Sequence, residues 1–471
     1  MPSHLIFFLC ALSFLSGIAF AAMGLPFVLT LVPAAILFSV IYICGERARL
    51  ALIGALILLS GSFYYFLNDY SYRILVLNVP KSGEVNGLVV SDPVFSNNSQ
   101  SFYLETDFGK LEIRTAQEPV YEYGDTIKVA GSISVPPQSY YGDYLAKENV
   151  VGTMYNPNIS LLSSNGGNRI MAFFFGLKNN IKSSFKEIFS PDEAALLSGI
   201  ILGVNEDFSK NFLQNLSLSG VRHITVISGL HMSIVMFIVF LSLVYVLPRR
   251  YAFTITLFIA AFFVALTGFS LSAVRAALMG SIAGLAREVG RIYSPYNALV
   301  LAALILVVPN PKILVFDVGF QLSFLAVVAM IYLSPLLRRA LRFGNGNGFL
   351  NWKASLLATL AAQIATAPIL ITQFQNFSLI AFAANILILS VVPLIIILGF
   401  LIATFSFFFL PMAHLVGFLA APIIEYVIFI VNLFANSAVL FNPSLGFTGI
   451  VLYYAVLIFI MYKFHGEKLA D

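Results

Sequence analysis

Residues 219–235 read SGVRHITVISGLHMSIV, a run that sets Arg222, His223, Ser228 and His231 among apolar residues and brackets them with Gly220 and Gly229. The chain around it decides what those polar groups mean. Its 471 residues are 59% hydrophobic and only 10% charged, against about 25% charged in ordinary soluble domains. The composition is that of a polytopic α-helical membrane protein. At membrane depth imidazole and guanidinium groups face a bundle interior or a wet cavity rather than lipid, so the stretch reads as a functional site. Glycines let the backbone leave the helix, and the polar neighbours offer partners to the groups so released. A helix beginning near Gly229 puts Ser228 and His231 at its positive end, where backbone N–H groups can meet a phosphate or carboxylate. The plainer alternative makes Ser228 an N-cap and His231 a packed core histidine.

Upstream, three hydrophobic segments, Leu5–Phe20, Pro26–Cys44 and Ala48–Leu67, each approach the ~20 residues a span requires. The first lacks a basic leader and reads as a retained helix rather than a signal peptide. Arg47 and Arg49, after the second segment, place that loop and the N-terminus in the cytoplasm, so residues 1–67 form N-terminal spans and the third helix leads outward. Residues 68–168 then switch to short alternating stretches, ILVLNV, VNGLVV, FYLET, KLEIR and TIKVAGSISV, divided by Gly, Pro, Asn and Asp. They predict a small extracytoplasmic all-β domain whose strand number suits an OB-like barrel. Tyr103, Tyr121, Tyr123, Tyr140, Tyr141 and Tyr144 can stack on bases, fill the core or meet the membrane surface.

Within residues 169–190, Phe174, Leu177, Ile181, Phe185 and Ile188 recur at helical spacing beside Lys178, Lys182 and Lys186, which predicts an amphipathic helix lying on the membrane. The lysines would meet lipid headgroups or collect a polyanion. Ser190-Pro191-Asp192-Glu193 is a capping-box signature. The run it opens, Ala194–Leu202, is too short to span and predicts a re-entrant or interfacial piece.

After the opening stretch, residues 191–471 carry further apolar runs at Ile224–Leu247, Tyr251–Gly268, Leu271–Ala286, Tyr296–Val308, Ile313–Ser334, Ala354–Thr372, Leu379–Thr404, Ala413–Phe434 and Phe447–Tyr462. Arg249 and Arg250, Arg287 and Arg291, Arg338, Arg339, Arg342 and Lys353, then Lys463 and Lys468 fall on one side if each run spans once. The pattern predicts about 12 spans, some broken or re-entrant, with both termini cytoplasmic. Arg275 lies inside an apolar run and needs a partner; Asp317 and Glu425 are the candidate carboxylates. Gln321, Gln363 and Asn385 are amides on predicted spans, able to bond one another or a solute. Cys10 and Cys44 read as buried apolar residues. No HExxH or paired CxxC spacing predicts a metal site, and no Walker-type motif or other cofactor signature is found. A Ser228/His231 pair has no acid nearby in sequence, so an intramembrane hydrolase is the weaker reading.

The stretch 219–235 also resembles the signature of the ComEC family, the inner-membrane channel of bacterial DNA uptake. TGFSLSAVRAALMG, REVGRIYSPYNALVLAAL, NPKILVFDVGFQLSFLAV and AAQIATAPILITQFQNFSLIAFAANILILSVVP are similar to that family's competence domain, in order, over roughly residues 185–393. The resemblance implies a multi-pass protein of the bacterial cytoplasmic membrane that passes single-stranded DNA into the cytoplasm while the other strand is degraded. It implies an outer DNA receptor, a cytoplasmic helicase-type ATPase and a possible separate nuclease as partners, beside membrane lipids. His223, Ser228, Gly229, His231, Arg275, Asp317, Gln321, Gln363 and Asn385 are the expected path or pore-structuring residues. The metallo-β-lactamase-like domain that many members carry is not found before Asp471, so a short member or a truncated chain is expected, one that does not itself cut DNA. A transporter or exporter of another polymer or metabolite shares the same broken helices and midplane polar groups.

Overall fold

The computed structural model describes residues 3–23, 48–96, 99–137, 139–164, 166–204, 208–341, 352–374, 377–378, 381–437, 440–441 and 446–466. The chain divides into two compact units, Met1–Lys178 with Leu278–Phe320, and Asn179–Ala277 with Gln321–Asp471. The expected span Pro26–Cys44, with Cys44 and Arg47, lies outside the described residues, as do Arg342, Asn376 and Lys468.

The first unit opens on α1 (Ser3–Ala22) and α2 (Ala48–Leu77). Small residues let their backbones touch: a Cβ at Gly17 would lie 1.9 Å from Leu58 O, and one at Gly61 would lie 2.2 Å from Phe14 O. Close approach of this kind drives helix pairing where lipid removes the hydrophobic incentive, and Ser62 Oγ adds a 2.9 Å bond to Gly17 O. The stretch expected as a first strand from Ile74 is instead the end of α2, which continues to Leu77 with Arg73 and Asp69 paired at 2.7 Å one turn apart. An i,i+4 ion pair favours the helix at that point.

The β domain follows as β1 (Ser82–Val89), β2 (Val94–Ser96), β3 (Ser99–Thr106), β4 (Gly109–Ala116), β5 (Thr126–Ser132), α3 (Tyr140–Lys147), β6 (Val150–Tyr155) and β7 (Asn158–Ser163). The strands run β6-β4-β3-β1-β5-β7, with β2 against β3. All pairs are antiparallel except β4 with β6. Ser134 and Thr153 bridge the chain after β5 to β6 through reciprocal bonds of 2.9 and 2.8 Å, which brings the edge strand β6 against the far side of the sheet. Inward residues alternate as a half-buried sheet requires, and Val89, Leu104, Leu111, Ile113, Ile127 and Val129 form its core with no exposure. Also in this unit are α4 (Arg169–Ile188) up to Lys178, then α10 (Pro295–Val307) and α11 (Ile313–Phe316).

In the second unit the rest of α4 buries Ile181 and Phe185. A Cβ at Gly417 would lie 2.5 Å from Ile188 Cγ2, so the end of α4 is packed into protein rather than laid wholly on a membrane. The capping box at Ser190 forms as expected, with Ser190 N–H and Oγ–H donating to Glu193 Oε2 at 2.9 and 2.6 Å. It opens α5 (Pro191–Leu202), whose residues from Glu193 to Leu202 are all buried. This short helix is therefore an interior piece of the unit, not an interfacial one. After it come α6 (Lys210–Leu218), a 3-10 turn at Arg222–Thr225, α7 (Gly229–Val244), α8 (Arg249–Leu266) and α9 (Leu271–Glu288), of which Leu271–Ala277 belong here. The remaining helices are α12 (Val318–Ala340), α13 (Trp352–Phe374), α14 (Ala381–Leu389), α15 (Val392–Phe408), α16 (Leu410–Asn436) and α17 (Phe447–Gly466).

Among the described residues six helices are long and apolar enough to cross a membrane: His4–Ala22, Leu52–Leu77, Arg249–Leu266, Val318–Ala340, Leu356–Gln373 and Leu410–Asn436. Ala383–Leu389 and Val392–Phe408 pass together as a pair bent by 42°, and Gly229–Val244, Pro295–Val307 and Thr448–Met461 are shorter apolar helices. Two further predicted runs are interrupted. The one from Ile224 becomes helical only at Gly229, and the one from Ile313 breaks at Asp317, whose Oδ1 accepts the Phe320 N–H at 2.5 Å and caps α12.

Candidate functional site

The opening stretch folds as a break between two helices. After α6 the chain makes the 3-10 turn, where Thr225 Oγ1 donates to Arg222 O at 2.9 Å, and Val226 is extended (φ −104°, ψ 131°). Helix α7 then starts at Gly229 with extended Ser228 as its N-cap. Ser228 N–H donates to His231 Nδ1 at 3.2 Å and Ser228 Oγ lies 2.8 Å from the same nitrogen, so His231 takes the place that Glu or Gln holds in a capping box. An Nδ1 that accepts carries no hydrogen, which leaves the neutral ring's N–H on Nε2. His231 is 2% exposed, and that Nε2 is buried without a hydrogen-bond partner. In a hydrolytic triad an acid would orient the ring from its second nitrogen; here the serine contact is a helix cap.

Arg275 belongs to the same cluster. It sits in α9, 5% exposed, with its guanidinium 5.6 Å from the centre of the Phe324 ring and its Nε lacking a hydrogen-bond partner. A Cβ on Gly229 would lie 3.2 Å from Arg275 Nη2, which puts the guanidinium against the first turn of α7. No carboxylate pairs with it among the described residues. Of the carboxylates expected to do so, Asp317 is engaged by Lys147 Nζ at 2.7 Å within the first unit.

Other expected residues fall out differently. His223 is exposed beside the break. Among the described residues, Asn385, 2% exposed in α14, has an Oδ1 without a partner, and Ser198 and Ser270 bury unpartnered hydroxyls in the same unit. Gln321 and Gln363 are half-buried on α12 and α13. The lysine stripe is not a free polycation: Lys178 pairs with Asp92 at 3.3 Å, and Lys182 and Lys186 also engage neighbours.

The tyrosines are largely consumed by their own domain. Tyr121 packs 5.5 Å from Phe102 in the core of the sheet, and Tyr123 lies 4.8 Å from Phe175. Tyr141 donates to the buried carboxylate of Glu112, and Arg114 bonds Glu112 at 3.0 Å while lying over the Tyr141 and Tyr155 rings. Burial, reinforced by the Glu112 bond, pushes the Tyr141 hydroxyl above its ordinary range. This cluster went unpredicted, although Lys110, Glu112 and Arg114 alternate along KLEIR as an outward face must.

A second unpredicted constellation joins α3 to the membrane helices of its unit. Lys147 lies 2.7 Å from Asp317 and 3.0 Å from Glu148, and its carbonyl accepts Asn310 Nδ2–H at 2.6 Å. Burial opposes the Lys147 charge, but the hydrogen bond to Asp317 and the charges of Asp317 and Glu148 outweigh it and hold the pKa above the usual lysine value. Lys312, 1% exposed, sets its ammonium 3.3 Å from Asp69 and 3.5 Å from the centre of the Tyr72 ring, and burial draws its pKa down against the pull of Asp69.

The Competence protein family profile matches residues 200–466, which hold α6 to α9 and every residue of the α7 cluster. ComE operon protein 3 of Bacillus subtilis (strain 168) is 24% identical over 333 residues, covering 69% of this chain and 41% of that relative. The chain thus spans less than half the length of the curated relative it matches. No solved structure matches it.

Proposed function

Because the chain belongs to the ComEC-type competence protein family, and because that family handles DNA in transformation, we propose that it conducts single-stranded DNA across the bacterial cytoplasmic membrane. The observation that carries this reading is Arg275, a buried cation with no carboxylate partner among the described residues, packed against the point where an apolar span is interrupted at Gly229. A strand with one negative charge per nucleotide needs a wet path with positive potential that binds weakly enough to release it. Interrupted helices supply such a path, since irregular backbone at membrane depth is tolerated where it lines water or is buried in protein. Gly229 and the α14–α15 bend are two interruptions within the second unit, and Asn385 and Ser270 add polar atoms that have no partner among the described residues of the same unit.

In this reading the chain crosses the membrane about 12 times with both termini cytoplasmic and the β domain outside. The strand order supports an OB-like barrel: β1, β3 and β4 form the antiparallel meander, β6 joins β4 in parallel, β5 pairs with β1, and the chain just after β5 bridges to β6 at Thr153. His223, Ser228, Gly229, His231, Arg275, Gln321, Gln363 and Asn385 are assigned to the path or its scaffold. Asp317 is assigned to the scaffold alone, through Lys147. The chain acts as a channel rather than an enzyme, with an outer receptor, a helicase-type ATPase and a nuclease as separate partners. Complementation tests this: in a competent bacterium deleted for its own family member, the chain restores transformation, and failure despite normal membrane levels contradicts the reading.

A further inference from the structure

At the N-terminus of α7 two positive features meet, the helix end itself and the buried guanidinium of Arg275. A helix start bears the equivalent of about half a positive charge, and its first N–H groups have no acceptor inside the helix. The guanidinium of Arg275, 5% exposed, lies against that turn at Gly229, and its Nε has no partner. A carboxylate would relieve both, yet none pairs with Arg275 among the described residues, and Phe324 covers the guanidinium at 5.6 Å. The third donor, in the same first turn, is the Nε2–H of His231, which is 2% exposed and has no partner among the described residues; the bond from Ser228 N–H to Nδ1 puts the hydrogen on Nε2.

We infer that Arg275, the Gly229 end of α7 and His231 form one binding site for a phosphodiester anion, in which the guanidinium and the first-turn amides face the same oxygen atoms. Breaking a buried pair leaves an uncompensated charge at a cost of several kcal/mol, and here the uncompensated charge sits at the end of a helix dipole that repels it. A bound anion removes both penalties, as at other helix N-termini. Glycine at 229 is part of the device, since any Cβ there would press on Arg275 Nη2 from 3.2 Å. The inference deepens the channel reading and rests on it only for the source of the phosphate, which is either a DNA strand or an anionic lipid headgroup.

Two arms of one experiment separate those sources, with full-length protein throughout. In nanodiscs of zwitterionic lipid, binding of an oligothymidylate about twenty nucleotides long is followed by fluorescence anisotropy against salt. In detergent, retention of phosphatidylglycerol is followed by native mass spectrometry. Arg275→Gln is expected to weaken binding about tenfold in one arm and, if that arm is DNA, to flatten the salt slope by about 0.7. Gly229→Ala is expected to weaken the same arm while folding normally. Arg275→Met, free of ligand, is expected to melt no lower than the wild type, since a buried unpaired charge stabilises nothing on its own.

Unchanged binding in both arms overturns the site, as does ligand-free Arg275→Met protein that melts several degrees lower. Wild-type protein that retains lipid through Arg275 but binds no oligothymidylate keeps the site and contradicts the DNA channel. Wild-type protein that binds the oligothymidylate as tightly as Arg275→Gln, with lipid retention also unchanged, keeps the channel and overturns the site.

Discussion

Lys147 Nζ lies 2.7 Å from Asp317 Oδ2, so a lysine of the β domain holds the aspartate that the sequence pattern had offered to Arg275. Asp317 thereby does two jobs inside its own unit, since its other oxygen caps α12 through Phe320 N–H. The pair is largely buried, and removing one partner from such a pair costs more than the pair contributes. Asp317→Asn, which can still cap, is expected to destabilise by about 1–3 kcal/mol. Asp317→Ala is expected to lose about 1 kcal/mol more with the cap. A thermal-melt cycle with Lys147→Met checks this, and additive effects would show that the two side chains are not coupled. The raised Lys147 pKa sets the sign of the pH effect: stability from this pair is full below the ordinary lysine pKa and falls as pH rises through the higher folded value.

Gly17 and Gly61 hold α1 and α2 at backbone contact, so alanine at either position must push the helices apart. Each substitution is expected to cost about 1–3 kcal/mol. Cysteine crosslinking between the two helices reports the separation, and an unchanged crosslinking pattern with wild-type melting would refute the contact.

Ser228 and His231 can be separated by choice of substitution. Ser228→Ala is expected to cost about 1 kcal/mol by removing the cap. His231→Gln keeps a residue that serves at the third position of a capping box, so it is expected to fold normally yet conduct DNA less well, because the Nε2–H donor is altered. His231→Ala should lose both. Equal transformation by His231→Gln and wild type would return His231 to a purely structural role.

Tyr141 bonds Glu112, whose carboxylate is also held by Arg114 at 3.0 Å. Tyr141→Phe is expected to destabilise the β domain by about 1–2 kcal/mol, since a buried carboxylate loses a donor, with no change in oligonucleotide binding. Weaker binding at unchanged stability would mean that the ring serves a ligand after all.

What the sequence made legible was local. Hydrophobic length marked the six helices long and apolar enough to cross a membrane among the described residues, alternation marked the β domain, the capping box at Ser190 marked the start of α5, and Ser228 with Gly229 marked a helix start that the apolar run from Ile224 obscured. Capping depends on contacts three residues apart, so a linear reading can find it. The misses were contacts between distant segments. Lys147 and Asp317 are 170 residues apart, and the parallel β4–β6 pairing skips a strand, so neither leaves a periodic trace. Ile74 to Leu77 form a continuous apolar run that a strand or a helix could hold, and the Arg73–Asp69 pair on the helix surface favours the helix there. Arg275 was visible as an anomaly, but its lack of a carboxylate is a property of the folded unit.

The central claim is that this chain carries a single DNA strand through the membrane by way of the Arg275 and α7 cluster. The most direct measurement reconstitutes the purified protein in liposomes that contain a trapped single-strand binding protein, adds labelled single-stranded DNA outside, and counts label protected from external nuclease. Wild-type protein is expected to protect single-stranded but not double-stranded DNA, with protection lost in Arg275→Gln and unaffected in Tyr141→Phe. Wild-type vesicles that protect no more label than protein-free ones, or Arg275→Gln vesicles that protect as much as wild type, would contradict it.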